Sequence, residues 1–433
     1  MICLVPHCGY LSATSRMLEI YRALRERGAA VRVITHGGPY ERVLRAAGVP
    51  YDVVGPHMSD ARAATFLRDE LGVGDVRQSM YTDDELRAYA TAEAGYFRAH
   101  GVTVAVTGFT LTTLLSTRLA GVRLVTEHAG SWIPPVWERG LLPVASTPVV
   151  PGAGWLPRPL ARRVANAAPP RLRFYTPGFN RVAAELGVEG VPSLPALVLG
   201  DLALVPEVPE VLGVPADAVD GWRPTGRHAA AYRPGTRLRC TGPLYARLDL
   251  PLPDRVAGFL RRPGPPIVYV AVNSSPPGLV RDAVAALSTL DVRLLVAATV
   301  HDIDDVVGDA DGERVAVATV LPSHRVMPVV DLAVTAGGQG SAQTAMAAGT
   351  PLLGIPLQPE QDLNLALLER LGAARAVALR HVRSRLAATA GAMLATDRHR
   401  EAARQVRSWY DAIDGPGNAA DAILAEAAGG RDA

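Results

Sequence analysis

The chain contains no lysine. All 44 of its basic residues are arginine, and 42 acidic residues hold the net charge at +2. So small an excess argues against nucleic acid as the main partner, since a phosphate backbone selects a strongly positive face. Cysteine is equally scarce. Cys3, Cys8 and Cys240 form no CxxC pair and no disulfide framework, which suits a reducing cytoplasm. Long apolar runs are missing too: none reaches the roughly 20 residues that span a bilayer. The opening Met1-Ile-Cys-Leu-Val-Pro6 has neither the charged start nor the long apolar region of a signal peptide. The reading is a soluble cytoplasmic protein without a membrane span. Its 433 residues, 48% hydrophobic, suffice for two or three domains with real cores.

The most informative stretch runs from Asp331 to Asn364, DLAVTAGGQGSAQTAMAAGTPLLGIPLQPEQDLN. Leu332 to Thr335 suits a buried strand, AGGQGS a glycine-rich turn, Ala342 to Ala348 a helix ended by Gly349, and Pro351 to Pro356 the next strand. Such a loop exposes backbone N–H groups at a helix N-terminus, where partial positive charge favours a phosphate, and Ser341 adds a hydroxyl.

At fixed spacing Gly337, Gly338, Gly340, Ser341, Ala345, Gly349, Pro351, Pro356, Glu360, Gln361 and Asn364 fall in step with the pattern HGGxG[ST]xxxAxxxGxPxxxxPxxx[DE]QxxN. The chain thereby resembles the family 1 glycosyltransferases, the group of bacterial macrolide glycosyltransferases and UDP-glycosyltransferases. The resemblance implies an α/β chain of the GT-B fold: two doubly wound Rossmann-like domains facing across a cleft. It implies an acceptor-binding domain over 1–235, a nucleotide-sugar domain over 236–396, and helices over 397–433 crossing back to the first.

The N-terminal part carries the βαβ rhythm of a doubly wound sheet. Ile2 to Val5 is a strand, PHCGYLSAT a loop, Ser15 to Arg27 an amphipathic helix closed by Gly28, and Val31 to Ile34 a strand. Thr35-His-Gly-Gly38 looks like a second donor motif but lacks everything downstream, so it is read as a strand-to-helix turn. Residues 55 to 100 are less regular, with one helix around Asp84 to His100. Strands are expected at Val102 to Thr107 and Val122 to Thr126, with a helix from Thr110 to Leu119 between them. The second strand delivers Glu127, His128 and Trp132 into a loop. Proline and glycine crowd residues 134 to 195, where helical periodicity is weak. Ile267 to Val272, Val292 to Ala297 and Val315 to Val320 are further strands, and the tail reads as two helices around 397–410 and 419–428. Trp409, at helical spacing from Gln405 and Val406, reads as a packing anchor.

By the resemblance, the donor is held by Asn273, Ser274, Leu321, Gly337, Gly338, Gln339, Gly340, Ser341, Glu360, Gln361 and Asn364. Glu360 and Gln361 take sugar hydroxyls and the glycine loop takes the diphosphate. Gly9, Tyr10, Thr110 and Trp132 face the acceptor. No cofactor is expected beyond the UDP- or dTDP-sugar co-substrate, and a homodimer is compatible with the sequence. The acidic runs His301-Asp-Ile-Asp-Asp305 and Asp309-Ala-Asp-Gly312 read as solvated turns, so no metal is expected. Direct displacement would invert the anomeric centre in a step that serves natural-product, for example antibiotic, biosynthesis.

Three positions depart from the pattern. Ala336 replaces the phosphate-directed histidine, Asn273 a glycine, and Tyr10 the histidine that serves as base. An unperturbed tyrosine is a poor base at neutral pH, so His7 in the same loop and His128 beside Glu127 join Tyr10 as catalytic candidates. Alternatives are an epimerase or hydrolase on the same fold, or a non-catalytic binding partner.

Overall fold

A computed structural model of the protein describes residues 1–70, 80–128, 130–146, 156–248, 250–272, 275, 278–298 and 313–429. Each short apolar run becomes a strand, and all strand pairs are parallel. The first sheet holds β1 (Ile2–Pro6), β2 (Val31–Thr35), β3 (Asp52–Val53), β4 (Val104–Gly108), β5 (Arg123–Thr126), β6 (Leu202–Val205) and β7 (Arg237–Cys240), in the order β3-β2-β1-β4-β5-β6-β7. The second holds β8 (Ile267–Ala271), β9 (Arg293–Ala297), β10 (Val315–Ala318), β11 (Leu332–Thr335), β12 (Leu352–Gly354) and β13 (Ala374–Ala376), in the order β10-β9-β8-β11-β12-β13. β1, β4, β6, β9 and β11 are buried at every position. Helices cover both faces of parallel sheets, which is why these strands read as unbroken apolar runs without alternation.

In each sheet the strand order reverses at one place, between β1 and β4 and between β8 and β11. Loops leaving the carboxyl ends of strands at such a switch point frame a crevice. The His7–Tyr10 loop and the glycine loop leave β1 and β11, so topology alone puts both at the two crevices.

Several boundaries differ from the sequence reading. The first helix begins at Leu11, because Tyr10 is extended and serves as its N-cap residue. The glycine-loop helix begins at Gln339, inside the glycine run. Residues 134 to 195 contain helices at Pro134–Glu138, Arg158–Ala167, Thr176–Leu186 and Leu194–Val198. The prolines that weaken the periodicity sit at the first or second helical position, where the missing N–H is no loss. β7 pairs with β6, so the first sheet continues past residue 235 to Cys240.

The tail divides between the domains. Helix Arg398–Asp411 packs on Gln339–Ala348, and helix Gly415–Gly429 packs on Leu11–Glu26. There Ala419, Ala420 and Ile423 join the first-domain core, and Glu426 pairs with Arg123 and Arg237. Trp409 packs, half-buried, on the core at the domain junction. One apolar cluster crosses that junction, with Val211 and Leu212 from the first domain and Leu367 and Leu368 from the second.

Candidate functional site

The glycine loop is built to leave amides free. Gly337 has φ +84°, and a Cβ there would lie 2.7 Å from Leu365, so only glycine fits. Its N–H bonds Thr335 Oγ1 at 3.0 Å. The helix that follows, Gln339–Ala348, has no side-chain cap of its own. Of its first N–H groups, which no helical carbonyl can reach, Gln339 N–H bonds Glu360 Oε1 at 3.1 Å. Ser341 Oγ turns back to Gly338 O at 2.9 Å and lies 3.3 Å from Thr335 Oγ1. The loop is thus braced by these bonds, and the amides of Gly338, Gly340 and Ser341 make no hydrogen bond among the described residues.

The acidic and amide residues downstream divide their atoms between bracing and presentation. Glu360 Oε1 accepts from Asn364 Nδ2 at 2.6 Å as well as from Gln339, which leaves Oε2 without a protein partner among the described residues. Burial pushes this carboxyl above its ordinary range, against the lowering effect of the Asn364 and Gln339 bonds and of Arg16. Gln361 Oε1 accepts from Leu357 N–H at 2.8 Å, and its amide nitrogen makes no hydrogen bond among the described residues. Asn364 is fully spent: Nδ2 also bonds Gly337 O at 3.1 Å, and Oδ1 accepts from Ser131 Oγ at 2.6 Å. It acts as a positioning residue, not as a donor contact.

The first domain closes against this loop. A Cβ on Gly130 would lie 2.5 Å from Gln339 Oε1, and one on Gly340 would lie 3.7 Å from Ser12. Ser146 N–H and Oγ bond Asp362 Oδ2 at 3.0 and 3.2 Å. One turn beyond Ser12, Arg16 forms a two-pronged buried pair with Glu127, Nε–Oε2 2.7 Å and Nη2–Oε1 3.3 Å. Arg16 also lowers the Glu360 carboxyl electrostatically, so the Arg16–Glu127 pair stands on the first-domain side within electrostatic reach of the glycine loop. Ala336, where the resembling pattern has a histidine, is buried in the second-domain core. Arg16 escaped sequence reasoning because its partner lies 111 residues away.

The three catalytic candidates converge at the ends of β1, β4 and β5. His7 stacks against Phe66 and Tyr10 with ring centroids 4.7 and 5.1 Å apart, and Phe109 lies between Tyr10 (5.4 Å) and His128 (5.3 Å). Phe109 has φ +68°, a strained conformation for a bulky residue. Its N–H points at His128 Nδ1, 3.2 Å away, as Gly9 N–H points at His7 Nδ1, 3.2 Å away. An amide N–H aimed at Nδ1 needs a lone pair there, which in neutral His7 puts the proton on Nε2, whereas His128 Nδ1 also lies 3.4 Å from Thr107 O, a contact that needs the proton on Nδ1. Both Nε2 atoms are buried without a partner among the described residues. Burial lowers each imidazole from about 6.5 to about 3. Burial thus makes both imidazoles weak proton acceptors, which disfavours the base role expected of them, and His7 Nε2 is set to donate a hydrogen bond.

The remaining expected contacts separate. Thr110 is buried with its hydroxyl on Val5 O at 2.9 Å, so it holds β1 to the β4 loop and presents nothing to an acceptor. Trp132 lies beside Ser131, tilts against Trp137 at 5.1 Å and packs, partly buried, on the core at the domain junction. Gly9 is buried under His7. Leu321 is buried in the junction core just ahead of the short helix Ser323–Val326. Asn273, Ser274 and the acidic runs 301–305 and 309–312 lie outside the described residues. The His36-Gly-Gly38 sequence is a strand-to-helix turn, with His36 Nε2 2.7 Å from buried Glu93 and Nδ1 2.8 Å from Val54 O.

The fold, with its two parallel sheets, is shared with solved glycosyltransferases. The glycotransferase of kitacinnamycin matches at TM-score 0.66 with 21% identity over 98% of both chains. Glycosyltransferase VinC, solved in complex with dTDP, matches at 0.63 with 17% identity over 99% of both. SnogD of Streptomyces nogalater matches at 0.62 with 18% identity over 98% of this chain and 99% of its own. The fold is GT-B. In sequence, a PGL/p-HBAD biosynthesis glycosyltransferase of Mycobacterium tuberculosis is 26% identical over 305 residues, 68% of this chain and 63% of the relative's length. No protein-family model matches the chain. Within the GT-B frame the glycine loop belongs to the second domain and the aromatic cluster to the first, on opposite walls of one cleft.

Proposed function

We propose that this GT-B protein is an inverting glycosyltransferase that moves a sugar from a UDP- or dTDP-activated donor to a small natural-product acceptor, without a metal ion. The observation that carries the reading is the uncapped N-terminus of helix Gln339–Ala348, with Glu360 Oε2 and the Gln361 amide beside it and Arg16 across the cleft. A departing nucleoside diphosphate develops negative charge as the anomeric bond breaks. The Gly338, Gly340 and Ser341 amides and the helix dipole meet that charge, and Arg16, paired with Glu127, adds the positive end of an ion pair where Ala336 adds nothing. With neutralisation supplied by the protein, the departure needs no divalent cation. Glu360 and Gln361 orient the sugar hydroxyls.

Attack from the first-domain wall, opposite the leaving group, inverts the anomeric carbon. The acceptor hydroxyl must lose a proton, and neither imidazole is set up to take it. The reading therefore favours an acceptor acidic enough to reach the cleft as its anion, such as a phenol bearing electron-withdrawing groups with its proton left to solvent, seated against Tyr10 and Phe109 and losing its negative charge as the glycosidic bond forms. The free thiols Cys3, Cys8 and Cys240 suit a cytoplasmic enzyme.

The test is sugar transfer from UDP- and dTDP-hexoses to paired phenolic and aliphatic alcohol acceptors, with the product's anomeric configuration read by NMR. A β-glycoside of the phenol from an α-linked donor is expected. Donor hydrolysis that ignores the acceptor would contradict the reading.

A further inference from the structure

From residue 139 to residue 184 the sequence contains seven arginines and no aspartate or glutamate, in a chain whose net charge is only +2. Among the described residues only one of the seven, Arg181, pairs with a carboxylate, that of Asp83. Arg162 bonds the carbonyl of Gly140, and Arg158 and Arg163 extend from helix Arg158–Ala167 without a carboxylate partner. The segment also concentrates exposed apolar bulk: Val144 is 43% exposed, Leu160 47%, Val164 46% and Phe174 37%.

The helix is amphipathic in an inverted sense. Ala161 is its only buried residue, while Leu160 and Val164, four apart on one face, point away from the protein. Burial in its own core would place the large residues inside and alanine outside. Arg163, three residues after Leu160, borders that stripe, and Arg158 and Arg162 lie on the other side of the helix with stems long enough to reach past it. The helix is held firmly: Asn166 exchanges bonds with Leu142, Oδ1 to N–H at 2.9 Å and Nδ2 to O at 3.0 Å, and Pro169 and Pro170 are buried after it.

We infer that this face docks on an anionic bilayer surface. Uncompensated arginines beside a protruding leucine, valine and phenylalanine fit a lipid interface, where apolar tips enter the acyl boundary and guanidinium groups meet phosphates. A convex ten-residue helix offers little of the roughly 800 Å² per side that a stable protein partner requires. No helix among the described residues is long and apolar enough to cross a membrane, so the contact is peripheral. The loop that anchors the helix carries Ser146 to Asp362 at the cleft. Docking would therefore bring the cleft to the bilayer and favour an amphiphilic acceptor; that consequence rests on the transferase reading, whereas the docking does not.

The test is flotation of the full-length protein with vesicles of phosphatidylcholine alone or with about a third phosphatidylglycerol. Wild type is expected to float with the anionic vesicles, less so as salt rises, and to stay behind with the neutral ones. Each arginine removed lowers partitioning about five-fold, so Arg158→Gln/Arg163→Gln loses about 25-fold. Leu160→Ser/Val164→Ser loses at least about tenfold. All these residues are exposed, and unchanged melting and nucleotide binding report that the variants are folded. Failure to float at low salt, flotation unaffected by both variants, or binding to soluble polyglutamate in place of vesicles would overturn the inference. Loss of transferase activity with flotation intact would count against the proposed function and leave the docking surface standing.

Discussion

Arg16 shows how a single residue can be decisive and yet illegible in the sequence. It sits mid-helix in an ordinary amphipathic pattern, and only the fold brings it to Glu127 and opposite the glycine loop. Removing it alone would strand a buried carboxylate, at a cost of about 3–5 kcal/mol, so the informative variant is Arg16→Gln/Glu127→Gln. That variant is expected to fold, to bind nucleotide within a few-fold of wild type, and to lose about 100-fold or more in kcat. An unchanged kcat would remove Arg16 from the account. The glycine-loop residues, by contrast, were legible because their spacing is fixed by backbone geometry. Several neighbours named with them turn out to be bracing: Asn364, Thr110 and the Ser341 hydroxyl all spend their polar atoms on the protein. Sequence shows that a polar residue is near a site, but not which way its atoms are engaged.

Among the elements, the strand ending at Val205 delivers Glu207 into the domain junction. Its carboxyl accepts from Tyr410 on helix Arg398–Asp411 at 2.8 Å and from Val208 N–H at 2.9 Å, with Gln343 of the glycine-loop helix 3.4 Å away. Burial raises it from 4.5 to about 7, against the lowering effect of those bonds. A raised carboxyl contributes stability that is complete below pH 4.5 and lost as pH climbs through 7, about 3 kcal/mol in all. His7 and His128, lowered from 6.5 to about 3, act oppositely: their contribution is present above pH 6.5 and lost on acidification. Melting curves across pH should show Glu207→Gln gaining on wild type as pH rises from about 5 to 8. A constant difference across that range would contradict the burial of a neutral carboxyl. Sequence could not expose this latch, since Glu207 is flanked by prolines and valines and its partners Gln343 and Tyr410 lie 136 and 203 residues away.

At the scale of the molecule, the two-sheet plan was readable because buried parallel strands leave continuous apolar runs and the glycine loop marks a switch point. The helices between 134 and 195 were not, because prolines that start helices look like prolines that break them. The reading of the cleft now rests on one physical statement: the N-terminus of helix Gln339–Ala348 receives a nucleoside diphosphate. Gly338 is the residue to change. It has φ −61° and ψ 151°, conformations open to any residue, and a Cβ there meets nothing within 4 Å. Aspartate is a favourable N-cap, so Gly338→Asp should match or exceed wild type in stability by up to about 1 kcal/mol while placing a carboxylate where the phosphate charge belongs. Calorimetric titration of UDP and dTDP into both proteins is the direct measurement. The account predicts micromolar binding of one nucleotide to wild type and none to a fully folded Gly338→Asp; equal binding to both proteins, or none to wild type, would contradict it.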